Sequence, residues 1–401
     1  MSPADPGRRV GQRQLHVVFL NWRDTTNPEG GGSERYVESV AHALVEAGHR
    51  VTIVCAAHVR APADEVRGGV RFVRRGSKLG VYPAAAWTIL TRRLGSIDVV
   101  VDVQNGVPFL SRLLTRKPVV VLVHHVHREQ WSVVYGRSAA AVGWWIESKL
   151  APWVYRNCQY VAVSEATRTE LTGLGVDPTR IAVVHNGTEP PPAQTTGEPV
   201  PGSLVIVGRL VPHKRVEHAL ATMVSLRGEV PGLRLTVVGD GWWADQLHER
   251  ADELGVDDLV DFRGFVDDGT KHRIIAESQV HLMPSLKEGW GIAVMEAASH
   301  GVTTVAYRSA GGVNESVLDG MTGLLVADDP AAFTAAVRRL LGDDQLRARL
   351  GEAARLRAGT FSWEQTAKSF AVVLNDAVAR RGTHAEVDPD ESSPALSQRS
   401  P

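Results

Sequence analysis

Short, continuously apolar runs alternate with helical stretches along almost the whole chain, and this rhythm constrains the fold more than any other feature. In the first half the runs cover 15–21, 51–56, 70–73, 98–103, 119–124, 160–164 and 181–186. In the second they cover 204–208, 233–239, 260–264, 280–283, 304–307 and 323–326. Runs that are apolar at successive positions suit strands covered on both faces, and strands separated by helices suit a parallel α/β sheet. The rhythm breaks once, where Pro190, Pro191, Pro192, Pro199 and Pro201 stand among Thr, Gln and Gly in linker composition. With 401 residues the chain also exceeds what one core usually organises. The expected architecture is therefore α/β, with two Rossmann-like doubly wound domains, 14–189 and 203–361, joined by a hinge at 190–202. They would face each other across a cleft at the carboxyl ends of their strands, where such folds bind ligands. Ser362 is a suitable N-cap for a last helix over 362–381, expected to cross back to the first domain. The polar lead, 1–13, and tail, 382–401, are expected to be disordered.

Composition excludes several function classes. Lysine plus arginine, 44, nearly cancels aspartate plus glutamate, 45, so no nucleic-acid partner is indicated. Cys55 and Cys158 lie far apart in apolar surroundings and read as buried free thiols, which suits a reducing cytoplasm. No apolar h-region follows Arg8 and Arg9, and no run approaches the roughly 20 residues of a membrane span. A cytoplasmic protein is expected, with peripheral contact at the inner face of a membrane left open and the oligomeric state unaddressed.

Chemistry gathers where the strands end. The stretch 284–301 holds Glu288 and Glu296 with seven residues between them. Glu288 is expected on a strand-to-helix loop and Glu296 about a turn and a half inside the helix. The free amides of that helix start, near Gly291 and Ile292, make a seat for a phosphate. After the first strand comes Glu-Gly-Gly-Gly-Ser-Glu-Arg-Tyr, 29–36, in which Gly31 and Gly32 let backbone amides approach a phosphate closely. It lacks both the spaced glycines of a dinucleotide fingerprint and the Lys-Ser/Thr of a P-loop, so a loop without a ligand reads equally well. At the matching point of the second half stand Arg209 and Lys214, able to clamp a diphosphate, the arginine as a fork and the lysine as a point charge. A solvated basic turn is the bland alternative.

The run 119–124 ends in His124-His125-Val126-His127. Metal ligation is disfavoured, because no Cys or carboxylate recurs nearby and His124 and His125 would point to opposite sides of a strand. His124, with His127 second, is the candidate to hydrogen-bond a substrate hydroxyl. Most of the ten tryptophans read as packing, while Trp131 and the 144–153 region are candidates for an acceptor groove. Neither a metal nor a bound cofactor is expected.

Together these stretches resemble the retaining glycosyltransferases of family 4, which have the GT-B architecture. The resemblance spans roughly residues 15 to 375 and is strongest in Glu-Gly-Trp-Gly-Ile-Ala-Val-Met-Glu-Ala, 288–297. Gly30-Gly31-Gly32-Ser33-Glu34, Val163-Ser164-Glu165, His185-Asn186-Gly187, Gly208-Arg209-Leu210 with Lys214, Val238-Gly239-Asp240-Gly241 and Gly311-Gly312 with Glu315 follow the family's order. The resemblance implies transfer of a hexose from a nucleotide diphosphate sugar to a hydroxyl on a lipid, glycan or small metabolite. Glu288 would hold hydroxyls of the donor sugar, Glu296 the ribose, and His124 the transferred sugar. Arg209 and Lys214 would neutralise the departing diphosphate, assisted by amides of Gly31, Gly32 and the helix start near Ile292, with no metal. A nucleotide-sugar epimerase or hydrolase of the same architecture and an inactive nucleotide-sugar binder are the alternatives. Donor turnover without an acceptor would mark the first, and a dispensable Glu288 the second. Two features depart from the family's pattern: three glycines stand where two often do, and the loop 124–131 is unusually rich in polar and aromatic residues.

Overall fold

The structure is a computed structural model that describes residues 14–192 and 197–385. The lead at 1–13, the linker residues 193–196 and the tail from 386 onward lie outside the described residues. The first sheet contains β1 (His16–Leu20), β2 (Arg50–Cys55), β3 (Asp64–Arg67), β4 (Val70–Arg74), β5 (Val99–Gln104), β6 (Val119–Val123), β7 (Gln159–Ala162) and β8 (Ile181–Val183). Their order is β3-β4-β2-β1-β5-β6-β7-β8. Every pair is parallel except β3 with β4. The antiparallel β3 is an element that the apolar runs did not announce. It reads Asp-Glu-Val-Arg because an edge strand with one side in water needs no continuous apolar run, and charge there discourages pairing with a foreign strand.

The second sheet contains β9 (Ser203–Val207), β10 (Arg234–Val238), β11 (Val260–Gly264), β12 (Val280–Met283), β13 (Thr303–Tyr307) and β14 (Gly323–Val326). It is parallel throughout, in the order β11-β10-β9-β12-β13-β14. The central strands are buried from end to end, as β-branched residues on both faces require when helices cover both sides. Each sheet reverses direction of growth once, between β1 and β5 in the first and between β9 and β12 in the second. At such a switch point neighbouring loops leave in opposite directions and open a crevice. The glycine loop follows β1, the Arg209/Lys214 turn follows β9, and the acidic motif follows β12.

The last helix, Trp363–Ala385, begins with the Ser362 hydroxyl accepting from the Gln365 N–H at 3.2 Å and returns to the first sheet. Phe370 is fully buried there, its ring 6.0 Å from Phe19 and 6.3 Å from Tyr36. One apolar cluster consequently joins Val17, Phe19, Tyr36 and Leu122 of the first sheet region to Trp290, Met295 and Ala354 of the second and to Phe370 and Leu374. Cys55 and Cys158 are both buried. Of the ten tryptophans Trp290 is buried, and Trp22, Trp144, Trp243 and Trp363 pack partly buried against the cores, so most serve packing as expected; Trp87, Trp145, Trp153 and Trp242 are exposed. Among the described residues no helix is long and apolar enough to cross a membrane.

Candidate active site

The glycine loop rests on a buried ion pair. Asp24, 1% exposed, accepts from Arg74 Nε at 2.5 Å and from the amides of Thr26 and Asn27 at 3.1 Å each. Burial pushes its carboxyl up, but the Arg74 and Thr26 hydrogen bonds and the charges of Arg74 and His58 bring it below its ordinary value. Arg23 ties the far side of the loop to Glu29, by its backbone carbonyl at 2.5 Å and its carboxylate at 3.0 Å. The helix Gly32–Glu46 then starts after Gly31, whose N–H donates to Glu34 at 2.7 Å. Of the two amides expected to face a phosphate, that of Gly31 is engaged by its own helix cap in this structure, which leaves the first-turn amides from Gly32 onward without an acceptor in the helix.

Those amides face the second domain at close range. A Cβ added to Gly32 would lie 2.8 Å from Cδ1 of Ile292, the first residue of the helix Ile292–Ser299. Arg209 donates to the Glu29 carbonyl at 3.2 Å, and its other terminal nitrogen lies 4.0 Å from the Cβ position of Gly31. Gly31, Gly32, Arg209 and Ile292 therefore meet at one point, with two helix starts and a guanidinium directed at it. Gly291 caps the second helix with φ of 89°, a left-handed conformation that a side chain would strain.

The acidic motif is fastened on two sides. The Glu288 N–H donates to the Ala310 carbonyl at 2.8 Å, and the Gly312 N–H donates to the Glu288 carbonyl at 3.0 Å. On the other side the Leu286 N–H donates to the His213 carbonyl at 2.8 Å, so the turn Pro212–Lys214 lies against the motif. Lys214 Nζ pairs with the Glu288 carboxylate. Burial alone would push that carboxyl up; the Lys214 charge and hydrogen bond more than reverse this and hold it below its ordinary value. A residue expected on the diphosphate and one expected on the sugar thus form a single charged unit.

His124 directly follows β6 and is 6% exposed, with its ring edge-on to Tyr36 at 5.3 Å. Its Nε2 is buried and has no hydrogen-bond partner among the described residues. Burial, aided by His127, lowers its pKa to about 3, so the ring is neutral and offers either a donor or an acceptor. The acidic motif reaches it directly: a Cβ on Gly289 would lie 2.2 Å from the His124 carbonyl, a contact that only glycine permits.

Glu296 stands apart from this group. It accepts from Lys271 Nζ at 2.8 Å and from Arg35 Nη1 at 3.4 Å, and Arg35 also reaches Glu189 at 2.9 Å. Gly187, Thr188, His272, Ile292 and Trp363 surround the same small pocket. Arg35 and Lys271 were not singled out from the sequence, which offers no spacing that relates them to Glu296. Among the described residues no three His, Cys, Asp or Glu side chains converge as a metal-ion site.

The two halves match different parts of known proteins. Residues 30–190 match the profile of Glycosyltransferase Family 4, and residues 198–357 that of Glycosyl transferases group 1. A glycogen synthase of Mycobacterium tuberculosis is 27% identical over 402 aligned positions, spanning 92% of this chain and 96% of that protein. The MMP alpha-(1->4)-mannosyltransferase of Mycolicibacterium hassiacum is 30% identical over 315 positions, 75% of each chain. Among solved structures, sucrose-phosphate synthase of Thermosynechococcus elongatus superposes with a TM-score of 0.73 at 19% identity, covering 93% of this chain and all of the other. Anabaena Alr3699/HepE, solved with UDP and glucose, gives 0.68 at 18%, covering 92% and 100%. The fold is GT-B, and the molecule is a glycosyltransferase, an enzyme of the hexosyltransferase class. The chain belongs to glycosyltransferase family 4.

Proposed function

We propose that the enzyme transfers a hexose from a nucleotide diphosphate sugar to a hydroxyl acceptor, with retention of anomeric configuration and without a metal ion. The observation that carries this reading is the meeting of Arg209, the Gly32 and Ile292 helix starts and the Lys214–Glu288 pair at the switch points of two facing sheets. Two cations and two sets of free amides are what a departing diphosphate requires. They stand ready before any charge develops, which is where preorganised groups gain most over water. Lys214 takes the diphosphate, and Glu288, fixed by Lys214, takes hydroxyls of the transferred sugar. His124, neutral and without a partner at Nε2 among the described residues, hydrogen-bonds the same sugar. Glu296, set between Lys271 and Arg35, takes the ribose. The UDP and glucose seen in the Anabaena relative of this fold support a nucleotide-sugar donor.

Thermal-shift screening of UDP, GDP, ADP and TDP sugars tests the donor, since a ligand at 100 times its dissociation constant adds about 2.7 kcal/mol of stability. NMR of the product's anomeric proton tests retention, and turnover that persists in excess EDTA tests metal independence. An inverted product, or activity abolished by EDTA and restored by a divalent cation, would overturn the corresponding part.

A further inference from the structure

The loop after β6 contains a second organised site, built around a carboxylate that donor binding leaves unused. Glu147 is 1% exposed and lies in a π-helical turn, Ile146–Leu150, between the helices Arg137–Trp145 and Ala151–Val154. Single π turns within helices concentrate at functional sites. A carboxylate so deep is costly unless its oxygens are satisfied. Its Oε1 accepts from the His127 backbone N–H at 3.1 Å and faces His127 Nδ1 at 3.0 Å, and its Oε2 accepts from Trp131 Nε1 at 2.7 Å.

This arrangement decides which nitrogen of His127 carries the proton. The carboxylate has only acceptors to offer, so Nδ1 donates, and in the neutral ring Nε2 is left with a lone pair. Nε2 makes no hydrogen bond among the described residues. The ring is partly exposed and held against His125, centroids 4.1 Å apart. The helix that begins at the next residue, Arg128–Val134, packs on the Pro212–Lys214 turn, which brings His127 close to His213, the neighbour of Lys214. Trp131 is equally fixed, since a Cβ on Gly143 would lie 2.4 Å from its indole. Its ring lies 5.4 Å from that of the exposed Tyr135.

A fixed lone pair calls for a donor, which a hydroxyl supplies and a phosphate or carboxylate does not. A pair of aromatic rings beside it suits the apolar face of a sugar-like ring. We propose that Glu147 is a positioning residue of an acceptor subsite, in which His127 Nε2 accepts a hydrogen bond from a hydroxyl of a ring polyol, a sugar or a cyclitol, seated on Trp131 and Tyr135. The inference rests on the glycosyl-transfer reading and names the acceptor class of that same cleft.

Two measurements test it. Long-range 15N–1H NMR of histidine in the free wild-type protein is expected to show His127 protonated at Nδ1, and Glu147→Gln is expected to shift it toward the Nε2–H form. With methyl α-glucoside, methyl α-mannoside and myo-inositol as acceptor probes, Glu147→Gln is expected to raise acceptor KM about 10- to 100-fold, as for outer-shell partners that orient a histidine. Binding of the donor nucleotide should stay unchanged. His127→Gln, at a partly exposed site, should give the same loss even where Glu147→Gln folds poorly, and the double variant should add nothing further. An Nε2–H tautomer in the wild type, an unmoved KM, additive losses, or transfer confined to acyclic or anionic acceptors would overturn the proposal. If the wild type binds no nucleotide sugar, the glycosyl-transfer reading fails instead, and the tautomer, measured without substrate, still judges the part assigned to Glu147.

Discussion

Glu288 is held between two opposed effects, burial that favours its neutral form and the Lys214 ammonium that favours its charged form, and the ammonium prevails. A carboxylate whose folded-state pKa is depressed contributes stability that is complete above its ordinary pKa and is lost as pH falls through the folded value. The difference in melting temperature between wild type and Glu288→Gln should accordingly be largest at neutral pH and shrink as the buffer is taken below the carboxylate range. A difference constant with pH would show that the pair contributes no charge term. For turnover, Glu288→Ala and Lys214→Ala should each lower kcat by about 100-fold or more, the scale for losing one preorganised group. Because the two act as a unit, the double variant should lose far less than the product of the single losses. Glu288 and Lys214 were both legible as site residues from their places after strands. Their pairing was not, since a sequence shows that two turns end neighbouring strands but not which side chains then touch. The same holds for Arg35 and Lys271, which reach Glu296 from separate helices.

At the scale of elements, several of the stretches that carry the family resemblance join the two halves of the molecule. The helix Glu165–Gly173 of the first domain has its N-terminal amides at Glu165 and Ala166 capped by the carboxylate of Glu315, at 2.9 Å each. His185 faces the same carboxylate at 3.2 Å and lies against Trp290, while Lys287 pairs with Glu170 further along the helix. Removing this cap with Glu315→Ala should cost about 1–2 kcal/mol, as for other N-cap losses, read as a lower urea midpoint. Gly289→Ala should act differently. Its methyl group would press on the His124 carbonyl, so the domains should part, with a larger radius of gyration in small-angle scattering and at least a tenfold loss of kcat, while circular dichroism stays unchanged. The parallel sheets were legible because burial on both faces leaves a continuous apolar run. The strand Asp64–Arg67 was not, and neither was the clamp, whose partners lie about 150 positions apart and carry no local pattern.

The whole molecule is one mechanical unit because its last helix belongs in sequence to the second domain and in packing to the first. Phe370, Val373, Leu374 and Ala377 of that helix are buried in the cluster that also holds Phe19, Tyr36 and Leu122. The helix start is tied in as well: Thr366 donates to the His185 carbonyl at 2.9 Å, and the Thr188 N–H donates to the Phe361 carbonyl at 3.0 Å. Unfolding the first domain therefore exposes the apolar face of the last helix, and melting the helix exposes the first sheet. Calorimetry of the wild type should show a single transition for this reason. Phe370→Ala removes a fully buried ring at the centre of the contact and should cost about 3–5 kcal/mol. The loss falls on the link between the domains, so the scan should split, with the first domain melting ahead of the second and the second keeping its wild-type temperature. A single transition merely shifted downward would mean that Trp290 and the Glu315 clamp couple the domains without the helix.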